Sequence, residues 1–113
     1  MAEIIIYPFG PATVVALTAA DAQAITIVNN MTIVDGVTVP ATASRTINLT
    51  VEATVNAGAR MFVKSKTAAT ETTVFGTKMQ GATITGVAGK TKTVEFVYDG
   101  TNFVEAGTPV QID

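Results

Sequence analysis

Apolar and polar residues alternate with a period of two along most of this chain. The clearest stretch is residues 45–53, RTINLTVEA, where Ile47, Leu49 and Val51 share one side and Thr46, Asn48, Thr50 and Glu52 the other. A two-residue period is the mark of a strand with one buried and one wet face. Residues 59–66 repeat it, with Met61 and Val63 inward and Arg60, Lys64 and Lys66 outward. In residues 91–98, Val94, Phe96 and Tyr98 share a face. Asn56-Ala57-Gly58 reads as a turn, and Asp99-Gly100-Thr101-Asn102 as a hairpin leading into the return strand 103–106. Gly107 and Pro109 are expected to close a last hairpin, with residues 110–112 as a final edge.

The N-terminal half carries shorter signals. Residues 3–7, EIIIY, predict a short strand stopped by Pro8, Gly10 and Pro11, and residues 12–18 a second. Residues 19–24, AADAQA, are the one helix-friendly segment, too short for more than a single turn. Apolar runs at 24–28, 31–34 and 37–39 are separated by Asn29-Asn30 and Asp35-Gly36. Asp-Gly between alternating runs is a two-residue hairpin signal, so this stretch predicts a three-stranded meander ended by Pro40. Residues 72–77 predict a strand in which Gly76 marks a bulge, and residues 81–87 a weaker strand. Turn signals recur roughly every 8–12 residues, a spacing that points to an all-β fold. The expectation is an antiparallel β-sandwich or small barrel of about 8–10 short strands. The 113 residues form a single β domain, with residues 1–11 as an N-terminal assembly arm.

Composition narrows the chemistry. The chain has no His, no Cys and no Trp, while Thr and Val alone supply 20 and 15 residues. It therefore lacks the side chain most used for proton transfer near neutral pH, the thiolate nucleophile and the usual zinc ligands. With 48% hydrophobic and 14% charged residues, some apolar surface is expected to meet another chain. The net charge of −2, and cations scattered from Arg45 to Lys92 without a basic block, argue against nucleic acid as a partner. The N-terminus, MAEIIIYPFGP, has no basic leader region, and Pro8 and Pro11 interrupt its apolar run, so it does not read as a secretory signal. No apolar run approaches the length of a membrane span.

Local motifs give little catalytic chemistry. Gly89-Lys90-Thr91 has the ending of a phosphate-binding loop, but Ile84 stands where the first glycine belongs, so the segment reads as a turn. The acids are dispersed, and Asp99 with Asn102 suits a hairpin turn better than an ion site. No catalytic, metal or cofactor-binding residues are assigned. The sequons at Asn30 and Asn48 are the chance matches expected in a Thr-rich chain. Arg60, Lys64 and Lys66, with Phe62 between, read as a solvated strand face rather than an anion site. A glycan-binding β-sandwich is the alternative reading, with Tyr7, Phe62 and Phe103 as the aromatic candidates.

Residues 81–107, GATITGVAGKTKTVEFVYDGTNFVEAG, resemble the closing hairpin of small virion proteins of tailed bacteriophages. Those proteins finish on an aromatic strand, a D-G-T-N turn and an aromatic return strand, here Phe96, Tyr98, Asp99 to Asn102 and Phe103. The Thr-rich segment TINLTVEATVNAGARMFVKSK is similar to strands of capsid-decoration and head-fibre proteins. The resemblance implies a non-enzymatic virion structural protein, a capsid auxiliary or decoration protein or a head-fibre subunit, made in the host cytoplasm. Its expected partners are copies of itself and the major capsid or other virion proteins, with a surface glycan as a further candidate. Ile4, Ile5, Ile6, Tyr7 and Phe9 are the residues assigned to the assembly interface, because five large apolar side chains exceed what one edge strand hides.

Overall fold

A computed structural model of the protein describes residues 12–113. Eleven strands are present among them, and no helix. In chain order they are β1 (Thr13–Ala16), β2 (Asp21–Ile27), β3 (Met31–Ala41), β4 (Arg45–Val51), β5 (Arg60–Thr67) and β6 (Thr72–Phe75). These are followed by β7 (Met79–Gln80), β8 (Ile84–Thr85), β9 (Thr91–Tyr98), β10 (Phe103–Glu105) and β11 (Val110–Gln111). The predicted strand at residues 3–7 and the arm at 1–11 lie outside the described residues.

The strands form two facing sheets. The larger runs β1-β3-β5-β9-β10-β7, with β11 also paired to β9, and the smaller runs β2-β4-β6-β8. The first six strands alternate between the sheets, and within each sheet they pair with one another in parallel: β1 with β3, β3 with β5, β2 with β4 and β4 with β6. The N-terminal half is thus a flattened coil with two strands per turn. Antiparallel pairing enters later, where β9 pairs with β5, β10 and β11, and β8 pairs with β6. The all-β expectation holds, and of the sandwich and the barrel the two sheets are compatible with the sandwich; the pairing is mixed rather than purely antiparallel.

Four local expectations are not met. Asp35-Gly36 is not a hairpin turn but lies inside β3, which pairs in parallel with β1 up to Asp35 and with β5 through both residues. The Asp35 carboxylate accepts hydrogen bonds from the Val37 and Thr38 amides at 2.8 and 3.1 Å and from the Thr38 hydroxyl at 2.6 Å. That produces a register irregularity between Gly36 and Ala41 instead of a reversal, and the strand continues through Pro40. Asn29-Asn30 does turn the chain, but between sheets, because β2 and β3 belong to different sheets. Gly107 and Pro109 do not reverse the chain either. β10 and β11 follow one another along the same side of β9, both antiparallel to it. The helix-friendly segment contributes the start of β2, at Asp21.

Other expectations are borne out. Ile47 and Leu49, Met61 and Val63, and Val94, Phe96 and Tyr98 all point into the space between the sheets and are buried. Phe75 meets Phe96 edge-on at 4.7 Å, and Tyr98 stacks on Phe103 at 4.8 Å. The hairpin at Asp99 forms as read. The Asp99 amide donates to the Asn102 carbonyl, and the Asp99 carboxylate accepts from the Thr101 and Asn102 amides at 2.8 and 2.7 Å. Gly100, at φ 98°, takes the left-handed position that favours glycine.

One end of the core is polar. Arg45, at the start of β4, is fully buried and points inward on the same face as Ile47 and Leu49. Its Nη1 donates to the carbonyls of Thr18 and Val39, and its Nη2 to the carbonyls of Gly36 and Lys66 and to the Ser65 hydroxyl, at 2.9–3.2 Å. Ser65 in turn shares a hydrogen bond with Thr73 at 2.7 Å. Gly36 is required beside this group. A Cβ there would lie 2.6 Å from the Lys64 carbonyl oxygen and 2.7 Å from Arg45 Nη2.

Arg45→Ala is expected to cost about 3–5 kcal/mol, because it leaves carbonyls of β3, of β5 and of the Thr18 corner without a donor. Arg45→Lys is expected to recover only part of that loss, since an ammonium has three donors and no planar fork. Gly36→Ala is expected to cost about 1–3 kcal/mol through a clash with backbone that has no room to shift. Urea denaturation midpoints followed by circular dichroism check all three. Wild-type stability in Arg45→Ala would contradict the role given to the guanidinium.

Candidate functional site

The surfaces available to a ligand or partner are the outer faces of the two sheets and their free edges. The assigned assembly residues Ile4, Ile5, Ile6, Tyr7 and Phe9 lie outside the described residues. Of the three aromatic candidates, Tyr7 also lies outside them, and Phe103 is fully buried against Tyr98, which removes it as a surface group. Phe62 is half-buried on the outer face of the larger sheet, in the middle of β5. It was readable as an outward residue from the parity of Met61 and Val63. The burial of Phe103 was not, because its strand is only three residues long.

Arg60, Lys64 and Lys66 do share the outer face of β5. The face is not uniformly cationic, however. Arg60 forms an ion pair with Glu95 of β9 at 3.2 Å, and Lys64 stands in register with Asp35 of β3. Apolar side chains run between these charges. Val14 of β1, Ile33 of β3 and Phe62 lie on one row across three neighbouring strands. Beside them is an open cleft of about 510 Å³, with Val14, Ile33, Val37 and Ile112 as its apolar walls and Asp35, Lys64 and Asp113 as its charged groups.

The carboxylates at this cleft are already engaged. Three hydrogen bonds from Thr38 and Val37, the Thr38 hydroxyl first, hold Asp35 below the usual carboxylate range. Asp113 accepts the Thr91 amide at 2.8 Å, and that bond holds it low as well. A carboxylate held low binds a proton weakly, so neither group is poised for proton transfer near neutral pH. Among the described residues no group of three or more acidic side chains is placed to hold a metal ion. Gly89-Lys90-Thr91 is a turn into β9, with Gly89 at φ 69° and its amide on the Thr67 carbonyl, and no helix follows it.

The outer face of the smaller sheet differs. Ala22, Ala24 and Thr26 of β2 stand in register with Thr46, Asn48 and Thr50 of β4, and Thr46 with Val74 of β6. These positions carry no charge, and none has a long side chain. Asn48 has a structural task, accepting the Thr77 amide at 2.9 Å. The result is an uncharged surface of small side chains that adjoins β2, which ends the sheet among the described residues. Such a surface is suited to packing against another regular surface and offers no reactive group.

Comparison with protein-family models, with curated proteins and with solved structures finds no match.

The pH dependence of stability follows from the low carboxylates. Asp35, Asp99 and Asp113 are all held below their ordinary values in the folded protein, Asp99 chiefly by the Asn102 and Thr101 amides. A folded value below the unfolded one contributes stability above the unfolded pKa, and that contribution is lost as pH falls through the folded value. These three groups should therefore leave the melting temperature unchanged from pH 8 to about pH 5 and lower it below about pH 4. Asp35→Ala should flatten the acid limb. Melting temperatures recorded by circular dichroism across this range test the sign, and a rise on acidification would contradict it.

Proposed function

We propose that this protein is a non-enzymatic structural subunit of a bacteriophage virion, a capsid auxiliary or decoration protein or a head-fibre subunit. The observation that carries the reading is the uncharged outer face of small side chains on the smaller sheet, continuous with a strand edge that is free among the described residues. A surface without charged side chains loses little by being covered, and a regular one packs closely. The resemblance of residues 81–107, which include the Asp99 hairpin, to the closing hairpin of such virion proteins supports the same reading. The partners would be further copies of this chain and the major capsid protein, bound in the virion. Ile4, Ile5, Ile6, Tyr7 and Phe9 would add an apolar contact at the N-terminus. Weak individual contacts suffice in such a setting, because symmetric repetition multiplies them.

A glycan-binding module is the second reading. One observation favours it: Phe62 is half-exposed between Arg60 and Lys64, an aromatic face flanked by hydrogen-bond donors.

Mass spectrometry of gradient-purified particles from the source lysate separates the two. The virion reading expects this chain in many copies per particle, at a fixed ratio to the major capsid protein. Its absence from particles, with the chain remaining free in the lysate, would overturn that reading. A glycan array binding wild-type protein but not Phe62→Ala would then support the second.

A further inference from the structure

The longest free strand edge among the described residues belongs to β2. It is the terminal strand of the smaller sheet and is seven residues long, whereas β7 and β8, which end the two sheets on the other side, have two residues each. β1, which ends the larger sheet beside it, has four. Natural edges are usually blunted by lysine, proline or a bulge. The sequence of β2, DAQAITI, holds no lysine and no proline, and its register with β4 is unbroken over all seven residues.

The direction of its free hydrogen-bonding groups follows from the ladder on its other side. The Asp21 amide donates to the Ser44 carbonyl, and the Ile27 carbonyl accepts from Glu52. Backbone groups alternate in direction along a strand, so the odd-numbered residues face β4. The amides and carbonyls of Ala22, Ala24 and Thr26 therefore face away from the sheet. Their side chains are small and lie on the exposed outer face, while Gln23, Ile25 and Ile27 point inward and are buried.

We infer that β2 is a self-association edge, and that two copies of this chain pair β2 with β2, antiparallel about a twofold axis. The occupant is a second copy because this strand is complementary to itself. In an antiparallel pair, directly opposed residues share a face, so opposed residue numbers must sum to an even value if inward residues are to stay inward. A register centred on Ala24 meets that condition. It sets Ala22 against the partner's Thr26, and Gln23 against the partner's Ile25. It also sets Asp21 against the partner's Ile27, so no like charges face one another across the axis. Ala22, Ala24 and Thr26 then exchange their outward amides and carbonyls with the same three residues of the partner, and the two smaller sheets become one eight-stranded sheet. Such an edge contact is smaller than the roughly 1,200 Å² of a standard stable interface, so the pair is concentration-dependent on its own. This inference does not rest on the virion reading, since it concerns the isolated chain.

The experiment uses the full-length protein in three forms: wild type, Ala24→Lys and Ala24→Pro. The Lys variant places two cations beside the axis. The Pro variant removes an amide that has no partner among the described residues, a place where an edge strand tolerates proline. Sedimentation equilibrium from about 10 µM to about 1 mM covers the range in which so small an interface associates. Wild type should pass from monomer to dimer, and both variants should remain monomeric with unchanged circular dichroism. Hydrogen exchange at Ala22, Ala24 and Thr26 should slow with concentration in wild type alone. Because the chain has no cysteine, Ala24→Cys supplies a second readout. It should oxidise to a disulfide dimer at least tenfold faster than Thr50→Cys, which is exposed on the same sheet face away from the edge. A wild type that stays monomeric throughout the range, a dimer that survives in the Lys variant, or equal rates for the two cysteine variants would each overturn the inference.

Discussion

The buried guanidinium of Arg45 is the constraint around which one end of this fold is arranged. It projects from β4 of the smaller sheet, yet its acceptors belong to the Thr18 corner, to β3 and to β5. No carboxylate meets it. Its charge is spread over four backbone carbonyls and a hydroxyl, and burial lowers its pKa from the usual arginine value while the distant Asp35 opposes that shift. An arginine lowered from so high a starting point is still protonated at neutral pH. Burying a cation in this way is costly, and the cost is offset only if every acceptor stays in place. The Nε atom finds none, which makes the remaining five hydrogen bonds more consequential. The group therefore fixes how the two sheets sit against each other at that end. A one-residue slip of β4 would carry Arg45 to the outer face and leave those carbonyls unsatisfied.

The same residue explains why part of the sequence misleads. Asp35-Gly36 has the composition of a two-residue hairpin, and read locally it reverses the chain. In the structure the glycine is needed for space, since any side chain there would strike Arg45 and the Lys64 backbone. The aspartate is needed to hold Val37 and Thr38 where β3 departs from β5. The glycine is explained by neighbours distant in sequence that no local window contains, whereas the aspartate bonds locally and serves a departure of β3 from β5 that a local window does not show. Arg45 itself was within reach of the pattern: it lies two positions before Ile47, on the inward parity. The general exposure of charged side chains hides that fact, because the parity rule and the charge rule point in opposite directions.

Alternation was a sound guide to which residues are buried and a poor one to strand partners. The inward sets of β4, β5 and β9 were all legible, because period two reports one covered face whatever lies alongside. The direction of pairing was not, since a parallel and an antiparallel neighbour leave the same alternation in a half-buried strand. The coil of β1 to β6, crossing from sheet to sheet at each corner, is consequently invisible in the pattern. The Asp99 hairpin was legible for the opposite reason: its turn is satisfied by its own four residues. Of the candidate surface, the outward position of Phe62 and of the β5 cations could be read from parity. The ion pair of Arg60 with Glu95 and the placing of Lys64 opposite Asp35 could not, because they depend on the register with β9 and β3.

The alternating coil gives the molecule two unlike ends. Among the described residues β1 and β2 are the first strands, one in each sheet, and their outer sides together form one end of the coil. At the other end the sheets stop at β7 and β8, two-residue strands too short to present a row of free amides and carbonyls. A sheet that is open on both sides can grow without limit, which is the hazard of exposed edges. Here a second copy added at β2 uses the only long edge each partner offers among the described residues, and the combined sheet ends on short strands at both sides. Pairing through β2 therefore closes at two copies. Any larger assembly must use other surfaces, and the outer face of Ala22, Thr46 and Val74 is continuous with the paired edge, so a dimer would present twice the uncharged area of a single chain to whatever covers it.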